Sequence, residues 1–167
     1  MDIRFSEKRD IISIADLYVR NHKTTYKDLL SPDYINKLDY EYGLQKWTDE
    51  FSDPKTVIWV ACDGPEFLGF ASATPDHKED DTIYLESLHI MEKSRGKGTG
   101  TALIRTVAEY AKKNGYKRMS ISIVKGNDRA GDLYKKLGAR HDSYFKDDFS
   151  GTISCSERLI WDNLDCF

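Results

Sequence analysis

The chain is poor in the residues that cross-link, chelate or cross membranes. Its 167 residues include three cysteines, Cys62, Cys155 and Cys166. They are odd in number, far apart and contain no CxxC pair, so neither a disulfide framework nor a zinc site is expected. Isolated reduced thiols fit a cytoplasmic protein. The four histidines, His22, His77, His89 and His141, have no metal-ligand spacing, and no metal is expected. No apolar run approaches the length of a membrane span. The opening "MDIRFSEKRD" lacks the apolar core of a signal peptide, so export is not expected. An excess of positive charge is also missing: 25 Lys and Arg stand against 28 Asp and Glu, a net charge of -3. Without a basic face to neutralise phosphates, nucleic acid is disfavoured as a partner, while a cationic small substrate stays compatible. G-x-S-x-G is absent, so no serine nucleophile sits on an elbow.

What is present reads as a soluble globular chain, 40% hydrophobic and 32% charged. No repeat, low-complexity tract or linker interrupts it, and the length suits one domain over residues 1–167. "IRF" alternates like a short strand. "IISIADLYVRNHKTTY" carries apolar residues at helical spacing. "SPDYINKLDYEY" opens a second helix, with Ser31 as cap and Pro32 in the first turn. Gly43 is expected to end or bend it before "LQKWTDEF". The β-branched and aromatic "TVIWVACD" and "FLGFASAT" then make a hairpin, and the largely apolar "TIYLESLHIM" a well-covered strand. Further on come a helix in "TALIRTVAEYAKKNG", a strand in "KRMSISIV", a helix capped by Asn127 in "NDRAGDLYKKLG", and two strands around a turn near Ser150 and Gly151. The order β-αα-βββ-α-β-α-ββ implies an α/β or α+β domain with a mixed sheet.

Between the third strand of that central group and its helix lies "SRGKGTGTALI". A simple turn needs one or two residues with positive φ, not three glycines alternating with basic and small residues. P-loop spacing is absent, and a dinucleotide fingerprint fails because Thr101 stands where its last glycine would be. The physical content survives: a strand ends, glycines follow, and a helix begins with unpaired N–H groups and the positive end of its dipole. Glycines let an anion approach those amides, and Arg95 and Lys97 add charge, which describes a pyrophosphate cradle.

Arg95-Gly96-Lys97-Gly98-Thr99-Gly100 fits [QR]-x-x-G-x-[GA]. Upstream lies Leu85-x-x-Leu88-x-Ile90, and downstream Asn127-x-x-Ala130-x-x-Leu133-Tyr134. This combination resembles the GNAT superfamily of N-acetyltransferases, including bacterial members of undefined substrate. The resemblance implies the GNAT fold, a mixed central sheet of about seven strands flanked by helices, and acetyl-CoA as co-substrate. It implies that Arg95, Gly96, Lys97, Gly98, Thr99, Gly100 and Thr101 bind the pyrophosphate. Leu88, His89 and Ile90 would pair their backbone with the pantetheine arm, on a strand splayed from the next. Asn127 and Ala130 would line the thiol end. Tyr134 matches the family's general acid, since a phenol of pKa about 10 can protonate a leaving thiolate; the other reading is a core aromatic. A backbone N–H near His89 or Ile90 would hold the oxyanion. Glu86, a carboxylate in an otherwise apolar strand, is the candidate base or substrate-positioning group; it reads equally as an exposed residue or a lysine's partner.

In that family the early helices and the last hairpin shape the acceptor pocket. Here Tyr26, Tyr34, Trp47 and Phe149 are candidate walls, and Asp147 and Asp148 candidate attractors for a cationic amine; each also reads as ordinary core or solvated turn. The expected activity is direct acetyl transfer to a primary amine of a small, polyamine-like molecule or to a peptide N-terminus. A non-catalytic acyl-CoA-binding module is the alternative. A homodimer through the C-terminal strands or helix faces is compatible with the sequence.

Overall fold

The structure is a computed structural model that describes residues 1–149 and 151–167. Strand β1 (Asp2–Phe5) leads into α1 (Ile11–Tyr26), α2 (Pro32–Lys37) and α3 (Tyr40–Ser52). The antiparallel run β2 (Val57–Asp63), β3 (Glu66–Pro75) and β4 (Thr82–Ile90) follows. Helix α4 (Thr99–Lys113), β5 (Arg118–Val124), α5 (Asp128–Lys136), β6 (Arg140–Phe149) and β7 (Thr152–Trp161) complete it. The strands form one seven-stranded mixed sheet in the order β1-β2-β3-β4-β5-β7-β6.

Each sheet face carries its own apolar layer. On one face Leu103, Ile104 and Val107 of α4 pack against Leu85, Ile121 and Trp161. They recur at helical spacing, so a single stripe of α4 is removed from water. On the other face Ile14 and Ala15 of α1 and Trp47 of α3 cover Ile58, Val60 and Phe70.

The sheet is joined weakly at its middle. β4 and β5 are parallel and paired only at Thr82↔Arg118, Ile83↔Met119 and Tyr84↔Ser120. Beyond those pairs they diverge, and β5 takes β7 as its other neighbour from Met119↔Trp161 to Val124↔Ser156. The splay expected from the sequence resemblance therefore opens at Leu85.

Several local expectations need correction. Between β1 and β2 there are three helices, not two. The break falls at Leu38 and Asp39, whose carboxylate accepts the Tyr42 N–H at 2.8 Å and caps α3. Gly43 stops nothing: it lies in the first turn of α3, where a Cβ would stand 2.6 Å from Val19 Cγ2. A close crossing of α1 and α3 asks for glycine there. Helix α4 begins at Thr99, so Gly100 is helical. Asn127 occupies the cap position of α5, but its side chain makes no capping bond. Ser31 and Pro32 start α2 as expected, with Ser31 Oγ accepting the Tyr34 N–H at 3.3 Å. Of the expected β6–β7 turn, Ser150 lies outside the described residues; Gly151 has φ +91. Among the described residues no helix is long and apolar enough to cross a membrane, and no cluster of metal-ligating side chains is found.

Candidate functional site

The glycine stretch leaves a run of amides undirected. The Arg95 N–H closes a short 3-10 turn onto the Glu92 carbonyl, and the next amide with a backbone acceptor is Ala102, bonded to Gly98 O at 2.9 Å. From Gly96 to Thr101 the N–H groups have no acceptor among the described residues. Gly96 and Gly98 sit at φ +75 and +86, and nothing lies within 4 Å of where a Cβ would project from either. Successive amides in such a turn, continuing into a helix N-terminus, form a concave donor surface for an anion.

This loop forms one rim of a cavity of about 760 Å³ that runs through the splay of β4 and β5. On the loop, Arg95, Gly96, Gly98, Gly100 and Thr101 line it. Lys97 is exposed and Thr99 is 3% exposed at the start of α4; neither side chain lines the cavity. The Arg95 guanidinium is turned inward. Its Nη2 donates to Asn21 Oδ1 at 2.8 Å and its Nε to the Ile90 carbonyl at 3.3 Å, which also accepts Asn21 Nδ2 at 3.2 Å.

Strand β4 lines the cavity from Tyr84 through Glu86, Leu88, His89 and Ile90. The Met91 N–H donates to Leu68 O at 2.8 Å. In this antiparallel register His89 therefore also turns its N–H toward β3, while Leu88 and Ile90 turn theirs to the splayed edge. Of the two amides named from the sequence as oxyanion donors, that of Ile90 faces the splayed edge and that of His89 faces β3. The His89 ring is stacked on Phe70, centroids 5.2 Å apart, with Tyr18 edge-on at 5.4 Å. Burial holds it neutral, pushing its pKa well below the usual histidine value, and neighbouring His22, Arg95 and Lys46 act in the same sense.

Glu86 is the extra residue of a β-bulge, since Ser72 pairs with Ser87 and Ala73 with Leu85. A bulge re-aims a side chain out of strict alternation, and Glu86 reaches the cavity with Oε1 3.5 Å from Lys46 Nζ. Burial raises its pKa, against the opposing pull of Lys46. Lys46 is itself bonded to Glu50 at 3.0 Å.

On the opposite wall, Tyr134 of α5 is 5% exposed and lines the cavity, packed edge-on to Trp161 at 5.9 Å. Burial raises its pKa well above an ordinary phenol's, and the nearby Tyr26 and Tyr84 phenols push the same way. Asn127 and Ala130 line the same end, and the Asn127 side chain lies beside the Tyr26 phenol. From the acceptor side Tyr26, Asp147 and Phe149 reach the cavity. Tyr34 does so only indirectly, edge-on to Phe149 at 5.4 Å. Asp148 instead accepts the Gly151 N–H at 2.6 Å. Trp47, expected as a pocket wall, is fully buried in the core between Tyr18 and Phe70; an indole of that size serves the α3–sheet contact.

Sequence reasoning passed over several lining residues. His22 stands four residues after Tyr18 and four before Tyr26, a stripe readable from spacing. Its Nδ1 lies 3.2 Å from the Tyr18 carbonyl, which only accepts, so Nδ1 carries the proton and Nε2 the lone pair. Burial lowers its pKa to about 4, with the Tyr18 carbonyl opposing and Lys46 adding to the shift. Arg129 and Lys136, seven apart on α5, place two exposed cations at the cavity's edge. Asn21 had no local signal; its partner Ile90 is 69 residues away.

Comparison with known proteins gives a consistent result. The family model described as the acetyltransferase (GNAT) family matches residues 13–139. An uncharacterized N-acetyltransferase of Bacillus subtilis, YuaI, is 28% identical over 75% of this chain and 72% of its own. Bovine thialysine N-epsilon-acetyltransferase is 41% identical over 58 residues, 35% of this chain and 34% of that protein. Rat N-acetylaspartate synthetase is 32% identical over 65% of this chain and 36% of its own. The match thus spans only about a third of those two relatives' length. Among solved structures, yncA of Salmonella typhimurium with its cofactor acetyl-CoA superposes with a TM-score of 0.73 at 19% identity, covering 99% of this chain and 94% of that one. The paia N-acetyltransferase of Thermoplasma acidophilum in complex with coenzyme A gives 0.69 at 18%, covering 93% and 98%. At these identities the structural matches establish the fold.

Proposed function

The chain belongs to the acetyltransferase (GNAT) family, and from that premise we propose that it transfers the acetyl group of acetyl-CoA directly to a primary amine. The observation that carries the reading is the undirected amide run from Gly96 to Thr101 beside the splayed edge of β4. Those donors and the room at Gly96 and Gly98 fit a pyrophosphate, and Arg129 and Lys136 add positive charge near it. Leu88 presents its backbone groups along the splay to a pantetheine arm, and Asn127 and Ala130 mark the thiol end. Acetyl-CoA supplies an acyl group already activated as a thioester.

The protein's own groups do the rest. Glu86, made more basic by burial, takes the proton of the incoming amine. The Ile90 N–H meets the developing oxyanion. Tyr134, held firmly protonated, gives its proton to the departing sulfur. Tyr26 and Phe149 wall the acceptor. Charge supports a cationic acceptor, a small polyamine-like amine or a peptide N-terminus. Nearby cations are already committed, Lys46 to Glu50 and Glu86, Arg158 to Asp76 and Asp142. Asp147 has no ion pair among the described residues. We read residues 1–167 as one domain working in the cytoplasm.

Calorimetric titration with acetyl-CoA, with ATP and NAD as controls, followed by a coenzyme A release assay over a panel of amines, tests this. Selective binding and amine-dependent release are expected. Gly98→Glu, which adds a carboxylate at a positive-φ position, is expected to abolish acetyl-CoA binding with the circular dichroism spectrum unchanged. Tyr134→Phe is expected to lower kcat about 100-fold at near-normal coenzyme affinity. Equal binding of all three nucleotides, or full affinity in Gly98→Glu, would end the reading. Binding without transfer to any amine would make the protein an acyl-CoA-binding module.

A further inference from the structure

Asn21 sits at a junction of three elements. It belongs to α1, the helix that also carries Tyr18, His22, Thr25 and Tyr26 into the cavity. Its amide is used at both ends: Nδ2 donates to the Ile90 carbonyl at 3.2 Å, and Oδ1 accepts Arg95 Nη2 at 2.8 Å. Arg95 Nε donates to the same Ile90 carbonyl at 3.3 Å. The three groups close a ring of hydrogen bonds that ties the last residue of β4 and the first residue of the glycine loop to α1. Two features make the ring specific. An asparagine supplies one donor and one acceptor from a single planar group, which no other side chain of its length does. A guanidinium supplies two donors in fixed relative directions, which a lysine does not.

We propose that Asn21 is a positioning residue for the coenzyme site, acting through Arg95 and the Ile90 carbonyl, and that the Arg95 side chain is mainly a strut in this ring, not an anion ligand. The inference rests on the acetyl-CoA reading given above. Arg95 is where the chain leaves the 3-10 turn that follows β4, and the undirected amides start at the next residue. Fixing Arg95 therefore fixes the entry of that amide run. Ile90 turns both its carbonyl and its N–H to the splayed edge, so holding the carbonyl also holds the direction of the neighbouring N–H. The same ring fastens the acceptor wall on α1 to the coenzyme loop. A disturbance at Asn21 is felt first by acetyl-CoA, although no atom of Asn21 belongs to the amide cradle.

A double-mutant cycle on the full chain decides this, read by acetyl-CoA titration and by kcat. Asn21→Ala is expected to weaken acetyl-CoA binding about tenfold and to lower kcat, since it removes two hydrogen bonds, one of them to a charged group. Arg95→Met and Arg95→Lys are expected to lose affinity equally, because lysine keeps the charge and loses the fork. The cost of Asn21→Ala should shrink by at least half when Arg95 is already methionine. Additive losses, or an Arg95→Lys variant with wild-type affinity, would show Arg95 acting as a direct charge and would overturn the proposal. So would Asn21→Ala with a lowered unfolding temperature and an unchanged Kd, the signature of a merely structural contact. Should Asn21→Ala not fold, the Arg95→Lys and Arg95→Met pair still decides. Failure of the wild-type protein to bind acetyl-CoA would remove the underlying reading and this inference with it, an outcome separate from additivity in a protein that binds.

Discussion

His22 and His89 stand side by side in the cavity wall, ring centroids 5.2 Å apart, where charging either is costly. For His22 the unfolded chain titrates near 6.5 and the folded protein near about 4. Between those values the unfolded state binds more protons, so stability rises with pH across that window and is lost as pH falls through it. His89 shifts in the same sense, while the raised Glu86 works oppositely above the usual carboxylate range. Replacing His22 with Phe is expected to remove its share: the variant should gain on the wild type as pH drops from 7 to 4.5. The slope of that difference should approach, at most, ~1.4 kcal/mol per pH unit, the value for one proton. Urea unfolding at a series of pH values measures it; a difference that does not change with pH would mean that His22 titrates normally in the fold. At this scale the glycine run, Glu86 and Tyr134 could be singled out because their signals are local in the chain, and the fold brings them to one cavity. Trp47 was misread because an aromatic at helical spacing looks alike in a core and in a pocket wall. Asn21 was invisible because its meaning is a contact across the fold.

Among the elements, strand and helix identities followed from hydrophobic period, and errors gathered at glycines. Gly43 reads as a stop when helix propensity is the only criterion. In the fold it is a point of close approach between α3 and α1, with the Ala15 carbonyl 3.2 Å and Val19 Cγ2 2.6 Å from a notional Cβ. Gly43→Ala should therefore lose more by crowding than it gains in helix propensity. A net destabilisation of about 1–3 kcal/mol is expected, with Val19→Ala restoring part of it in the double variant, because the Ala15 carbonyl contact remains. Thermal or urea unfolding of the three variants checks this; a Gly43→Ala protein more stable than wild type would mean that the crossing accommodates a methyl group. Because α3 also carries Lys46, the same variant should disturb the Lys46–Glu86 pair at 3.5 Å.

For the molecule as a whole, topology beyond nearest neighbours was not written in any one stretch of sequence. That β5 lies between β4 and β7, and that β4 and β5 part after three residue pairs, comes from long-range packing, and the motif resemblance only pointed to it. The parted edges give a prediction at this scale. Acetyl-CoA at a hundredfold excess over its Kd should add about 2.7 kcal/mol of stability, with the largest slowing of amide exchange at Leu88 and Ile90. Exchange at those two amides that ignores the coenzyme would place its arm elsewhere.

A seam of three residue pairs has a consequence for the protein's lifetime as well as for its chemistry. β4 and β5 share few main-chain pairs, and the apolar layer of α4 holds the two half-sheets together across that line; digestion of a form opened there follows its population when reclosing is fast. A coenzyme that bridges the gap acts as the missing stitches. On the proposed function, bound acetyl-CoA would then slow digestion of the chain by an added protease.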